Sequence, residues 1–241
     1  MFTIATTNMI LRGDGKSNLV NEDFISQNPA KLQLNQATVG MINPPYSQGS
    51  KTNPDLYEMN FISHLLDSLT VNGKCIAIVP QSSMTGKTKE EAEIKTQILK
   101  KHTLEGVITL NKDTFYGVGV MPCIAVFTAH IPHPEYKESK FIDFREDGFK
   151  IAPHIGLKET EQAKDKKQHL LDVWFGRIES DTKFCVETTV KASDEWLHSY
   201  FYFNDETPTD VDFEKTIGDF LTFEFSMIMN NKEYLFEEEI I

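Results

Sequence analysis

Two apolar rhythms alternate along the first half of this chain, one with helical spacing and one in short continuous runs. From Phe2 to Arg12, Ala5, Met9 and Ile10 share a helical face, and Gly13-Asp14-Gly15 stops the helix. Asn18-Leu19-Val20 predicts a short strand leading into Asn21-Glu22-Asp23-Phe24. From Ala37 to Ile42 the run is apolar and partly β-branched, and it ends at Asn43-Pro44-Pro45-Tyr46. So short a run, bounded by prolines, predicts a buried strand rather than a helix. Ser47 to Asn53 is a polar loop. Between Asp55 and Leu69, residues Leu56, Met59, Phe61, Ile62, Leu65, Leu66 and Leu69 recur at helical spacing, closed by Asn72-Gly73.

The alternation continues. Lys74 to Pro80 reads as an apolar strand. Glu90 to His102 reads as an amphipathic helix with Ile94, Ile98 and Leu99 inward. Gly106 to Leu110 and Val120 to Thr128 are strands flanking a turn at Phe115-Tyr116-Gly117-Val118-Gly119. Strand–helix–strand–helix–strand–strand argues an α/β sheet covered on both faces. After Ala129 the pattern loosens. His130-Ile131-Pro132-His133-Pro134 is a connector whose histidines belong to a surface loop. Lys140 to Phe144 reads as a strand, and Glu159 to Trp174 as a lysine-rich amphipathic helix with a solvated charged face. The acidic end, Glu237-Glu238-Glu239-Ile240-Ile241, reads as a solvated tail.

Composition narrows the function classes. The 241 residues are 40% apolar, enough for a real core, and carry a formal charge of -12. That charge argues against a free-standing DNA binder, which draws most of its affinity from Lys and Arg on phosphates. Cys75, Cys123 and Cys185 are far apart and fit buried free thiols better than a disulfide or zinc set. The seven histidines are not spaced as metal ligands, so no metal is expected. No signal pattern opens the chain, and no apolar run approaches the ~20 residues of a membrane span; a cytoplasmic protein is expected.

Chemistry concentrates in Asn43-Pro44-Pro45-Tyr46. The string follows a strand, where open α/β sheets place their ligand sites. By average composition it would arise by chance in a chain of this length on the order of once in a thousand. Asn-Pro-Pro-Tyr in this setting resembles the signature of S-adenosylmethionine-dependent amino-methyltransferases acting on adenine N6, and also occurs in glutamine methyltransferases of release factors. The family logic concerns an exocyclic nitrogen whose lone pair is conjugated into the ring. Two acceptors near its hydrogens favour a pyramidal nitrogen with the lone pair free. The resemblance places those acceptors at the Asn43 side chain and the Pro44 carbonyl, with Pro45 restricting Pro44 to extended angles. It makes Tyr46 the ring that stacks on the flipped base, and Phe115, then Tyr116, the aromatic opposite it.

The likeness extends beyond this string. Asn8-Met9-Ile10-Leu11, Gly13-Asp14-Gly15 and Asn21-Glu22-Asp23-Phe24 resemble the upstream segment of methyltransferase subunits in type I restriction-modification systems. The resemblance puts Asp23, with Phe24 beside it, at the adenine of S-adenosylmethionine. Ile78-Val79-Pro80 and Phe115-Tyr116-Gly117-Val118-Gly119 fit the same family; Asp194-Glu195-Trp196-Leu197 and Phe213-Glu214-Lys215-Thr216-Ile217 resemble its C-terminal region more loosely. The implied fold is an α/β, Rossmann-like methyltransferase sheet, in part, with a mixed, mainly helical C-terminal extension. Residues 1–130 would be the target-base side of the catalytic domain, and residues 131–241 the extension, with a subunit-docking role. The implied partners are DNA and the specificity and restriction subunits of a type I system.

The family's strand and glycine-rich cofactor turn have no counterpart before Phe2, and Gly13-Asp14-Gly15 follows a helix instead of opening one. Two expectations follow: weak or absent transfer by the chain alone, and an open apolar edge on the strand ending at Asn43. Self-association or a chain supplying the missing half would cover that edge. Two alternatives stand beside this reading. A non-catalytic, partner-binding remnant would also lack the cofactor turn. A protein glutamine methyltransferase would share the four-residue string, but not the Ser47–Asn53 loop or the long segment after residue 130.

Overall fold

The computed structural model describes residues 2–14, 19–50, 52–86, 88–115, 117, 119–152, 156–204, 207–230 and 232. The chain forms two compact units, Met1–Tyr202 and Phe203–Ile241. In the first, the opening helix α1 (Phe2–Leu11) forms as the spacing predicts, but buries none of its residues. The strand expected at 18–20 is absent at Leu19 and Val20, and Asn18 lies outside the described residues. With no partner strand for its backbone groups among the described residues, a run so short has nothing to hold it extended. A short helix the pattern did not reveal, α2 (Pro29–Gln33), is capped by the Asn28 side chain and starts on a proline.

Next come β1 (Val39–Ile42), a short 3-10 turn at Pro54–Leu56, α3 (Glu58–Ser68) and β2 (Lys74–Pro80). α4 (Gln81–Thr85), α5 (Lys89–Lys101), β3 (Thr103–Leu110), β4 (Pro122–Thr128) and β5 (Glu138–Phe144) follow. β6 (Phe149–Ala152) and β7 (Gly156–Glu159) make a separate antiparallel hairpin. α6 (Ala163–Trp174), β8 (Cys185–Thr189) and α7 (His198–Phe201) complete the unit.

Six strands form one sheet in the order β1-β2-β4-β3-β5-β8. β1, β2, β3 and β5 share a direction, while β4 and β8 run against it. β4 therefore inserts between β2 and β3 as the return arm of a hairpin. The division expected at residues 130 and 131 falls inside this unit, because β5 and β8 extend the same sheet beyond β3. Gly106 makes the β3–β5 pairing possible. A Cβ there would stand 2.2 Å from the Lys140 carbonyl oxygen, so only glycine lets the two backbones approach this closely.

The main core lies on one face. Met59, Ile62 and Leu66 of α3 and Ile98 of α5 pack on Cys75, Ala77, Val79, Ala125 and Phe127, with Trp196 and Leu197 closing the edge. A smaller cluster of Ile108, Ile142, Val173 and Cys185 lies under α6. Coverage of both faces was expected, but toward β1 and β2 the second face stays half open. Ile76, Ile78 and Val126 are only half-buried. β1 is also less buried than expected. It pairs with β2 along one edge, no strand pairs with its other edge among the described residues, and Val39 and Met41 are 62% and 71% exposed.

The second unit contains α8 (Asp210–Met229), opened by a reciprocal cap between Thr209 and Asp212. None of its residues is buried, and Phe213, Ile217, Phe220, Leu221 and Ile228 are exposed at helical spacing. The acidic tail expected at residues 237–241 lies outside the described residues. Among the described residues no helix is long and apolar enough to cross a membrane.

Candidate target-base site

Four strand ends define one edge of the sheet. β1 stops at Ile42, β2 at Pro80 and β3 at Leu110, and β4 begins at Pro122, paired with Pro80. Asn43-Pro44-Pro45-Tyr46 leaves β1 there. Asn43 is exposed, Pro44 buried, Pro45 exposed and Tyr46 half-buried. Pro44 cannot donate and Pro45 keeps it extended, so the segment leaves the sheet at once instead of continuing a ladder.

Tyr46 reaches across to the neighbouring strand, where its hydroxyl donates to the Ile78 carbonyl at 3.3 Å. Burial raises the tyrosine pKa above its ordinary value, and Cys123 and Glu58 push the same way, so the hydroxyl stays a donor. Its ring meets Phe115 edge-on, with centroids 6.2 Å apart and planes at 64°. Phe115 comes from the β3–β4 connection, whose far end is pinned where the Gln81 N–H donates to the Met121 carbonyl at 2.9 Å. Tyr116, the second aromatic expected opposite Tyr46, lies outside the described residues.

The residues expected at the cofactor lie in the segment before α2. Asp23 has an exposed side chain, and its backbone carbonyl accepts from the Ser26 hydroxyl at 2.7 Å. Phe24 packs edge-on against His64 of α3, with centroids 4.7 Å apart. Ile25 next to it lines a shallow cavity of about 200 Å³ together with Asp55, Asn60, Ser63, His64 and Asp67. Phe24 is thus held on α3, whereas Tyr46 is held on β2. An exposed carboxylate beside a half-exposed ring is a donor set that fits the nucleoside part of S-adenosylmethionine: one acceptor for amine or hydroxyl hydrogens and one apolar flank.

Some features were not legible in the sequence. Glu58, the first residue of α3, is buried with its Oε1 accepting from the Ser47 N–H at 2.7 Å. An acid at a helix start is the only sequence signal, and it says nothing about burial. Lys95 of α5 is fully buried. It donates to the carbonyls of Met84 at 3.0 Å and Asp194 at 2.5 Å and sits 4.4 Å over the Trp196 ring. Burial lowers its pKa to about 8. The connector histidines are not surface residues as expected. His130 and His133 are half-buried, and His130 Nε2 lies 2.9 Å from the Leu69 carbonyl. No group of three or more potential metal ligands occurs among the described residues. A cavity of about 870 Å³ sits at the end of β5. Its lining of Asp143, Glu146, Asp165 and Asp181 against Arg145, Lys166 and Lys183 does not favour a phosphate.

The sequence matches the N-6 DNA Methylase family over residues 1–210. It is 50% identical over 238 residues to the type II restriction enzyme and methyltransferase RM.BcgI of Heyndrickxia coagulans, covering 98% of this chain and 37% of that protein. The M protein of the type I restriction enzyme EcoKI superposes with a TM-score of 0.62 at 15% identity, over 95% of this chain and 57% of that one. The methyltransferase subunit of a type I restriction-modification system from Streptococcus thermophilus gives 0.53 at 19% identity, over 78% and 42%. The two structures share the fold, and the chain spans little more than a third of its curated relative. With the family matched across most of its length and the Asn-Pro-Pro-Tyr turn at the sheet edge facing Phe115, this chain belongs to the N-6 DNA methylase family.

Proposed function

We propose that this chain carries the target-base side of an S-adenosylmethionine-dependent DNA adenine-N6 methyltransferase in a restriction-modification system. The observation that carries the reading is the placement of Asn43 to Tyr46 at the end of β1, with Phe115 facing Tyr46 from the β3–β4 connection. A base rotated out of the duplex would lodge between these two rings, and each aromatic contact would offset part of the unstacking cost. Asn43 is exposed, so its side-chain oxygen is free to accept one amine hydrogen. The Pro44 carbonyl would accept the other. With both hydrogens held, the nitrogen lone pair turns out of the ring. Asp23 and Phe24 would hold the nucleoside end of S-adenosylmethionine, which supplies an electrophilic methyl group when bound.

The assembly follows from charge and surface. A chain of net charge -12 leaves much of the phosphate contact to a partner, and the apolar stripe of α8 supports subunit docking within the extension, residues 131–241. In the type I arrangement the partners are DNA, a specificity subunit and a restriction subunit, and the open edge of β1 is covered by self-association or by a further stretch of polypeptide. The likeness to RM.BcgI favours a second arrangement, a type II enzyme with restriction and methylation in one assembly. A cytoplasmic location belongs to either. The test is DNA from a host without adenine methylation that expresses this chain with its partners, digested to nucleosides and weighed. N6-methyldeoxyadenosine in the wild type and none with Asn43→Ala is expected. Methyl groups on cytosine, or no methylated adenine with the wild type, would overturn the reading.

A further inference from the structure

Tyr46 does not owe its position to its own hydrogen bond alone. Ser47, the next residue, has φ +58°, a left-handed conformation that a non-glycine residue seldom adopts without something holding it. The holding group is visible. Glu58, 7% exposed, turns its carboxylate back from the start of α3, and Oε1 accepts the Ser47 N–H at 2.7 Å. An acid at this helix position ordinarily faces solvent and only complements the helix dipole. This one is buried and spends an oxygen on a loop eleven residues earlier. A second contact clamps the same loop. A Cβ on Gly49 would lie 2.4 Å from Tyr57 Cδ1 and 2.7 Å from Tyr57 Cα, so the loop rests on the residue just before Glu58. Ser50 and Asn53 close it with paired backbone hydrogen bonds of 3.3 and 3.0 Å.

We propose that Glu58 is a positioning residue of the target-base site, its carboxylate fixing Ser47 and, through it, the ring of Tyr46 against Phe115. The role in base binding rests on the methyltransferase reading; the clamp itself does not. With the acceptor gone, Ser47 relaxes toward ordinary backbone angles, and the hydrogen bond from the Tyr46 hydroxyl to Ile78 at 3.3 Å is left to hold the ring without the clamp on the following residue.

The test uses this chain with isotopically labelled Tyr and Phe and three variants: Glu58→Ala, Glu58→Gln and Gly49→Ala. Two signals are read: hydrogen exchange at the Ser47 amide, and the nuclear Overhauser contact between the Tyr46 and Phe115 rings. Glu58→Ala is expected to speed Ser47 exchange by at least about tenfold, the loss of one hydrogen bond to a charged acceptor, and to abolish the ring contact. Glu58→Gln keeps an amide oxygen in place and is expected to restore both. Gly49→Ala, which leaves Glu58 intact but pushes the loop off Tyr57, is expected to mimic Glu58→Ala and serves if that variant does not fold. Unchanged exchange in Glu58→Ala, or faster exchange with the ring contact retained, would overturn the proposal. So would a Glu58→Gln protein as perturbed as Glu58→Ala. If the wild-type protein shows the clamp but no preference for an unpaired adenine, the clamp stands and the base-binding reading falls.

Discussion

On the proposed reading, the amide oxygen of Asn43 acts only when the target nitrogen turns pyramidal. Replacing it should therefore strike turnover and not cofactor affinity. In the assembled enzyme, Asn43→Ala is expected to lower kcat on the order of a hundredfold or more, with S-adenosylmethionine binding by calorimetry unchanged. Equal turnover would refute the role. Tyr46→Ala removes a stacking surface and should weaken binding of DNA carrying an extruded adenine by about 1–3 kcal/mol, read as the shift in Kd. These residues were legible because a rare four-residue string marks them and Phe115 sits in the next aromatic turn. Glu58 and Lys95 were not. Their burial depends on partners 11 and 99 residues away, which periodicity does not encode. Lys95 also carries a pH signature. Its folded pKa of about 8 lies below the unfolded value, so between roughly pH 8 and 10.5 the unfolded chain binds the extra proton and stability rises with pH. Chemical denaturation across that window should show a rise of up to about 3 kcal/mol that is absent in Lys95→Met. A rise that persists in the variant would assign it to another group.

At the scale of elements, strands with continuous apolar runs were read almost to the residue, as Lys74–Pro80 illustrates. Such a run alternates fully and half-buried positions here, and little but a strand fits it. Edges were read less well. β1 was expected both as a buried strand and as one with an open apolar edge; burial is set by neighbours, and among the described residues Met41 has a strand on one side only. β6, β7 and β8 are not legible, because runs of four or five residues that carry one or two charges resemble any surface loop. The sheet has one unforgiving position. Gly106→Ala drives a methyl group into the Lys140 backbone, which cannot move without breaking the β3–β5 ladder. It is expected to cost at least about 1–3 kcal/mol, seen as a lower denaturant midpoint. An unchanged midpoint would mean the two strands pair less closely than described.

For the whole molecule, charge and exposed apolar surface argue together. A chain of -12 with a 20-residue helix that buries nothing is poorly suited to act on DNA alone. Light scattering at roughly tens of micromolar is expected to show association, reduced by Phe213→Ser with Phe220→Ser in α8 or by Met41→Lys on the β1 edge. A monodisperse monomer unaffected by either change would count against both surfaces. The sequence anticipated the class of fold, because the order of strands and helices along the chain leaves few arrangements open. It did not reveal that the first compact unit runs to Tyr202, since the strand that continues the sheet lies beyond a connector of prolines.

On the proposed reading, the edge formed by Asn43, Pro44, Tyr46 and Phe115 receives adenine. Titrating this chain with duplexes that differ only in one unpaired base tests it without depending on turnover. An unpaired adenine is expected to bind more tightly than thymine, cytosine or guanine, with the preference lost in Tyr46→Ala and reduced in Asn43→Ala. Equal binding of all four bases, or an adenine preference that survives both changes, would contradict it.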